Sequence, residues 1–179
     1  MVGGLKVYTM KTYKNLFENF SSIDNLFLAF KKAYKATKTI DSHKFFFHFE
    51  NKIIELHHKL SNKNLYDYTP QPYRYFTIFE PKEREISVAC FTDRIVHHAL
   101  INILEPIYEK YFIFDSYATR KNKGQHKAVF RAQKYLKQNF YFLKCDIKKY
   151  FYNINHNILL NKIKRKIKRS EEHTSELQS

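Results

Sequence analysis

The sequence predicts an α+β fold: N-terminal helices, a β-hairpin, two further helices, then one more strand and a closing helix. Three observations predict it. Apolar residues recur at helical spacing between Leu26 and Leu60. The segment YTPQPYRYFTIFEPKEREISVACF carries two prolines followed by β-rich residues. The run FYFLKCDI is continuously apolar up to its last residues, as in a strand covered on both faces.

Each element has its own warrant. Ser22 or Asp24 caps a first helix, whose stripe Leu26, Phe30, Ala33 and Tyr34 runs to about Thr37. Asp41-Ser42 caps a second, with Phe45, Phe49, Ile53, Leu56 and Leu60 on its apolar face and SNKN at its end. Pro70 and Pro72 exclude a helix; Tyr73 to Phe79 and Ile86 to Ala89 pair around the polar turn EPKERE, a hairpin (73–89) with a basic tip. Asp93 caps a long helix over 93–110, with Ile95 or Val96, Ala99, Leu100, Ile103 and Leu104 inward and Pro106 kinking or ending it. DSYATRKNKGQ is a basic loop (116–124), Gly124 precedes the helix HKAVFRAQKYLKQ, and Asn155 starts the last helix, HNILLNKIKRKIK. A helix start beside a basic loop is either a seat for phosphate or a solvated turn.

The chain has 179 residues and is 44% hydrophobic, enough for one packed domain or a domain with an extension. Its 32 basic against 17 acidic residues give net +15, a field that attracts polyanions, nucleic acid first among them. Lys, Asn, Ile, Phe and Tyr are abundant and have AT-rich codons, so part of the lysine excess reflects base composition. Cys90 and Cys145 stand far apart without a CxxC pair, which gives no support to a zinc site or a disulfide framework and fits reduced thiols in a cytoplasm. The doublets His57-His58 and His97-His98 lie in helical patterns that send neighbours to different faces, so they are read as surface and core residues. No apolar run has the length of a membrane span, and the first residues lack a signal-peptide core. The expectation is a cytoplasmic protein with no membrane partner.

The last eleven residues, RSEEHTSELQS, break the compositional bias. Back-translated, they resemble a common sequencing adapter read in frame. The expectation is that 169–179 is not native, that the native sequence stops near Lys168, and that the chain is a fragment of something longer. The remainder then carries 31 basic against 14 acidic residues.

Asp146 closes the apolar run, with Lys144, Lys148 and Lys149 around it and Tyr150 and Phe151 after it. A carboxylate at the end of a buried strand must be paired, hydrogen-bonded or metal-bound. Two readings are open: a salt bridge to Lys144 or Lys148, or a Mg²⁺ ligand.

Four segments in order bear on that choice. Asp146-x-x-x-Tyr150-Phe151 after an apolar strand resembles motif A of reverse transcriptases. FEPKEREIS resembles the family's basic fingers motif, TDRIVHHALINILEPIYEKYF the helix after it, and FDSYATRKNKGQHKAV the next motif, Ser-Tyr-x-x-Arg with a basic turn and a helix. The resemblance covers about Tyr66 to Ile167. In wording it is most similar to enzymes of diversity-generating retroelements, then to group II intron enzymes.

The resemblance implies a right-hand polymerase fold, truncated: residues 1–65 as an N-terminal helical extension, 66–139 as the fingers region, and 140–168 as the first palm strand and helix. It implies an RNA-directed DNA polymerase that uses two Mg²⁺ ions, an RNA template, a DNA or RNA primer and deoxynucleoside triphosphates. Asp146 would be the catalytic carboxylate bridging both metals, and the Ile147 carbonyl would ligate one. Phe151 would be the steric gate against a ribose 2′-hydroxyl. Lys82 and Arg84 would hold the triphosphate, and Arg120 would face template or nucleotide. Without the resemblance, Phe151 reads as a core ring and Lys82 and Arg84 as a solvated turn.

The sequence also departs from the family pattern. The second acidic motif, Tyr/Phe-x-Asp-Asp, does not occur in these 179 residues. The expectation is that this chain by itself is inactive. The competing function is a non-catalytic RNA-binding protein, maturase-like or a degenerate copy.

Overall fold

The computed structural model describes residues 13, 15–61, 67–79 and 81–167. The segment 169–179, the end of SNKN and Glu80 in the hairpin turn lie outside the described residues. Among the described residues the chain divides into two compact units, one over Asn15–Phe114 and the other from Asp115 onward.

The first unit is built from helices α1 (Leu16–Ser21), α2 (Ile23–Ala36), α3 (Ile40–Phe47), α4 (Phe49–Ser61) and α5 (Phe91–Tyr108), with a hairpin of β1 (Arg74–Phe79) and β2 (Glu83–Val88). Ser22 caps α2 as the sequence suggests, its hydroxyl accepting the Asn25 N–H. The apolar stripe from Phe45 to Leu60 holds, but His48 breaks it into α3 and α4. The cap lies upstream of Asp41: Thr39 and Ser42 form a reciprocal capping box, Thr39 N–H to Ser42 Oγ at 2.8 Å and Ser42 N–H to Thr39 Oγ1 at 3.3 Å.

Phe30 is the centre of the core. Its ring lies 5.6 Å from Phe49, nearly parallel, 5.5 Å from Phe45 and 6.3 Å from Phe91, edge-on. Leu26, Ala29 and Ala33 of α2 bury against Ile95 and Ala99 of α5, and the alanines permit close approach of the two helices. A buried polar tie sits in that seam: Asn25 Nδ2 donates to the Ala99 carbonyl at 3.1 Å, and its Oδ1 accepts from Asn102 at 2.9 Å.

The start of α5 differs from the expectation. Cys90, not Asp93, occupies the cap, with its sulfur accepting the Asp93 N–H at 3.4 Å. Burial of Phe91 against Phe30 and Phe45 draws the first turn back by two residues. Leu100 of the expected inward set is exposed, and Ile107 is buried. Pro106 lies in the last turn and the helix runs two residues beyond it, where a missing N–H costs little continuity.

In the hairpin, Phe79 pairs with Glu83 and Arg74 with Val88, so the turn is shorter than expected and Arg84 lies within β2. Arg74, Ile78, Arg84 and Ile86 share one face, while Thr77, Phe79, Glu83 and Glu85 share the other. Arg74 pairs with Asp41 of α3 at 3.2 Å.

The second unit contains α6 (Gln125–Leu136), a 3₁₀ turn (Tyr150–Asn153) and α7 (His156–Lys164), the last capped by Asn155 as expected. Here one expectation fails. FYFLKCDI is not a strand: residues 141–147 have no regular structure, and Phe140 and Tyr141 are 99% and 92% exposed. A strand exists only when neighbours close its N–H and C=O groups, and among the described residues β1 and β2 pair only with each other. The apolar composition is that of a covered strand, but among the described residues no strand pairs with it. The α+β class stands on the helices and the hairpin.

Candidate functional site

Lys82 and Arg84 both lie in the hairpin. Lys82 sits in the turn, and Arg84 stands opposite Ile78 in β2; both are exposed. The strand register fixes the direction of Arg84, and it leaves its guanidinium on the face away from Glu83 and Glu85.

The hairpin is positioned by a buried carboxylate that sequence reasoning placed wrongly. Asp93 is 3% exposed. It accepts the Tyr68 hydroxyl and, at 2.9 Å, the Gln71 N–H, so the proline-bearing segment entering β1 is tied to the first turn of α5. Burial, then the hydrogen bond to Asp93, pushes the Tyr68 hydroxyl well above the ordinary tyrosine range. The sequence signal was the acid at the third residue of a helix, a position as open to tertiary partners as to capping.

Arg120 lies in a closed loop of the second unit. Gly124 N–H donates to the Tyr117 carbonyl at 3.1 Å, Lys123 N–H to the Arg120 carbonyl at 3.2 Å, and Arg120 Nη1 to the Ser116 carbonyl at 2.9 Å. Thr119, Asn122 and Gly124 take positive φ of 55°, 61° and 99°. Of these only glycine adopts that region without steric cost.

Asp115, at the loop entrance, is gripped by α6. Arg131 Nε donates to Oδ1 at 2.9 Å and Nη2 to Oδ2 at 3.4 Å; Tyr117 donates to Oδ1 at 2.9 Å and Tyr135 to Oδ2 at 3.0 Å. The Arg131 guanidinium also accompanies the Tyr135 ring, 4.7 Å from its centroid. Hydrogen bonding to Arg131 holds the Asp115 carboxyl below its usual value and raises that of Arg131. This cluster went unnoticed in the sequence, although Arg131 and Tyr135 are spaced four apart on one helical face.

Asp146 is exposed, and its Oδ1 accepts the Ile147 N–H at 2.9 Å. Among the described residues it forms no ion pair with Lys144 or Lys148, so the salt-bridge reading finds no support. Lys149 takes a left-handed conformation (φ 50°) and turns the chain into the 3₁₀ segment, where Phe151 is 82% exposed with its ring edge-on to Tyr150. Phe151 is therefore not a core ring. The Asp146 carboxylate and the Ile147 carbonyl are hard oxygen donors of the kind magnesium takes. They fit in type but not in number, since among the described residues no three acidic, histidine or cysteine side chains gather. Among the same residues no helix is long and apolar enough to cross a membrane.

The order of these pieces along the chain has a counterpart in known proteins. The family model described as reverse transcriptase (RNA-dependent DNA polymerase) matches residues 79–176, over half of the chain. The chain belongs to the reverse transcriptase family. It is 34% identical over 126 residues to the group II intron-encoded protein LtrA of Lactococcus lactis subsp. cremoris, covering 66% of this chain and 20% of that protein. It is 30% identical over 99 residues to the putative COX1/OXI3 intron 1 protein of Saccharomyces cerevisiae, covering 54% of this chain and 12% of that one. With protein YkfC of Escherichia coli it shares 28% identity over 107 residues, covering 56% of this chain and 28% of that one. The chain thus spans about a fifth of the length of LtrA. Of the two affinities in its wording, these relatives favour the group II intron side.

Proposed function

We propose that this reverse transcriptase chain carries the nucleotide-facing fingers and the first catalytic carboxylate of an RNA-directed DNA polymerase of group II intron type. The observation that supports the reading is the match over 79–176, a range that spans Lys82, Arg84, Arg120, Asp146 and Phe151. In this reading Lys82 and Arg84 hold the incoming triphosphate, and Arg120 contacts template or nucleotide. Asp146 and the Ile147 carbonyl hold Mg²⁺, and Phe151 excludes the ribose 2′-hydroxyl. Bound magnesium supplies charge neutralisation and activation of the primer hydroxyl. What the chain's own residues would supply is a pair of cations for the triphosphate on the hairpin and, in the other unit, one carboxylate. Partners are an RNA template, a DNA or RNA primer and deoxynucleoside triphosphates.

One carboxylate does not build a two-metal centre, so the 179 residues by themselves are proposed to be inactive. Incubation with a primed RNA template, deoxynucleotides and Mg²⁺ tests this; template-dependent incorporation would overturn it. The sequence of the full gene tests the enzymatic reading. A second Tyr/Phe-x-Asp-Asp motif, and loss of activity in Asp146→Ala, are the expected outcomes. A degenerate second motif would favour a non-catalytic RNA-binding protein.

A further inference from the structure

We propose that Asp115, Arg131 and Tyr135 are positioning residues that hold the 116–124 loop in the shape in which its cations meet an RNA backbone. The proposal rests on the reading that this loop touches template.

The loop places Arg120, Lys121 and Lys123 within four positions. Like charges so close repel, and a free loop would spread them. The closed form also holds two non-glycine residues, Thr119 and Asn122, at positive φ, which the backbone does not favour. Side chains of α6 reach this segment both near the helix start and at the loop entrance. Near the helix start, the exposed Lys127 Nζ donates to the Asn122 carbonyl at 2.8 Å, a single bond from a flexible stem. At the loop entrance the hold is firmer: Asp115 is gripped by Arg131 and Tyr135 on successive turns of α6, with Tyr117 joining from inside the loop.

The chemistry of Asp115 supports this role. From Lys110 to Lys168 the acidic residues are Asp115 and Asp146. A bare carboxylate at the mouth of a basic loop would repel phosphates. Here four donated hydrogen bonds occupy both carboxylate oxygens, and the guanidinium neutralises their charge. Asp115 is thereby turned from a repulsive charge into a tether.

The test uses the purified 179-residue chain, a labelled single-stranded RNA and trypsin. Arg131→Lys keeps the charge but cannot form the two-pronged bond. Cleavage after Arg120, Lys121 and Lys123 is expected to quicken several-fold. RNA affinity should fall, with a salt dependence shallower by about 0.7 for each phosphate no longer neutralised. Exchanging the pair, Asp115→Arg with Arg131→Asp, is expected to restore both readouts toward wild type. Wild-type cleavage and salt slope in Arg131→Lys would overturn the proposal. A separate Lys121→Gln/Lys123→Gln variant tests the underlying reading: unchanged RNA affinity there sinks the template contact and the clamp with it. Weakened affinity there, with Arg131→Lys unaffected, sinks the clamp alone.

Discussion

The buried carboxylate of Asp93 accepts the hydroxyl of Tyr68, 25 residues before it in sequence. With the Gln71 N–H on its other oxygen, Asp93 joins the first turn of α5 to the segment that delivers the hairpin bearing Lys82 and Arg84. Asp93→Ala strands both donors and is expected to cost on the order of 1–3 kcal/mol. A urea unfolding midpoint equal to wild type would show that the tie is dispensable.

The same pair makes stability sensitive to alkali. The Tyr68 hydroxyl ionises at higher pH in the folded chain than in the unfolded one, through burial first and the Asp93 bond second. Its contribution is complete below the ordinary tyrosine value and declines as pH rises above it. Unfolding midpoints should fall above about pH 10, and less so in Tyr68→Phe. Parallel curves for the two proteins would contradict this.

Phe30 contacts rings from α3, α4 and α5 and is 4% exposed. Phe30→Ala opens a cavity where α2 meets three other helices and should destabilise the first unit by about 3–5 kcal/mol. Thermal melting followed by far-ultraviolet circular dichroism measures it, and a drop of under about 1 kcal/mol would displace Phe30 from the centre of the core.

Asp115 titrates below an ordinary aspartate because Arg131 favours its charged form. The clamp is intact above the ordinary value and is lost as pH falls through the depressed one. Carboxyl-carbon NMR should place its midpoint below that of a free aspartate, and Arg131→Leu should move it upward. An unmoved midpoint would mean the ion pair does not persist in solution.

Lys82 and Arg84 are exposed, so replacing them should leave stability unchanged while weakening triphosphate binding. Charge-assisted hydrogen bonds contribute about 1.5–3 kcal/mol, which is about tenfold or more for each contact. Calorimetric titration of the chain with a deoxynucleoside triphosphate gives the comparison, and equal affinity in Lys82→Ala/Arg84→Ala would remove the hairpin from the nucleotide site.

Local patterns in the chain were enough to specify most of the helical segments, the hairpin and the order of the family motifs, though not α1 or the break at His48. Each of these depends on periodicity, on proline and on residue types a few positions apart, as in the stripe from Phe45 to Leu60 and the prolines before β1. Partners distant in sequence had to wait for the folded chain. Asp93 has the residue type and position of a helix cap, and only the packing of Tyr68 and Gln71 made it an anchor. Asp115 has the look of a loop acid until α6 brings Arg131 and Tyr135 to it. The run before Asp146 shows the limit from the other side. Apolar composition marks a segment that suits burial between layers, but a strand also needs neighbours for its backbone hydrogen bonds, and those are a property of the surrounding sheet rather than of the segment.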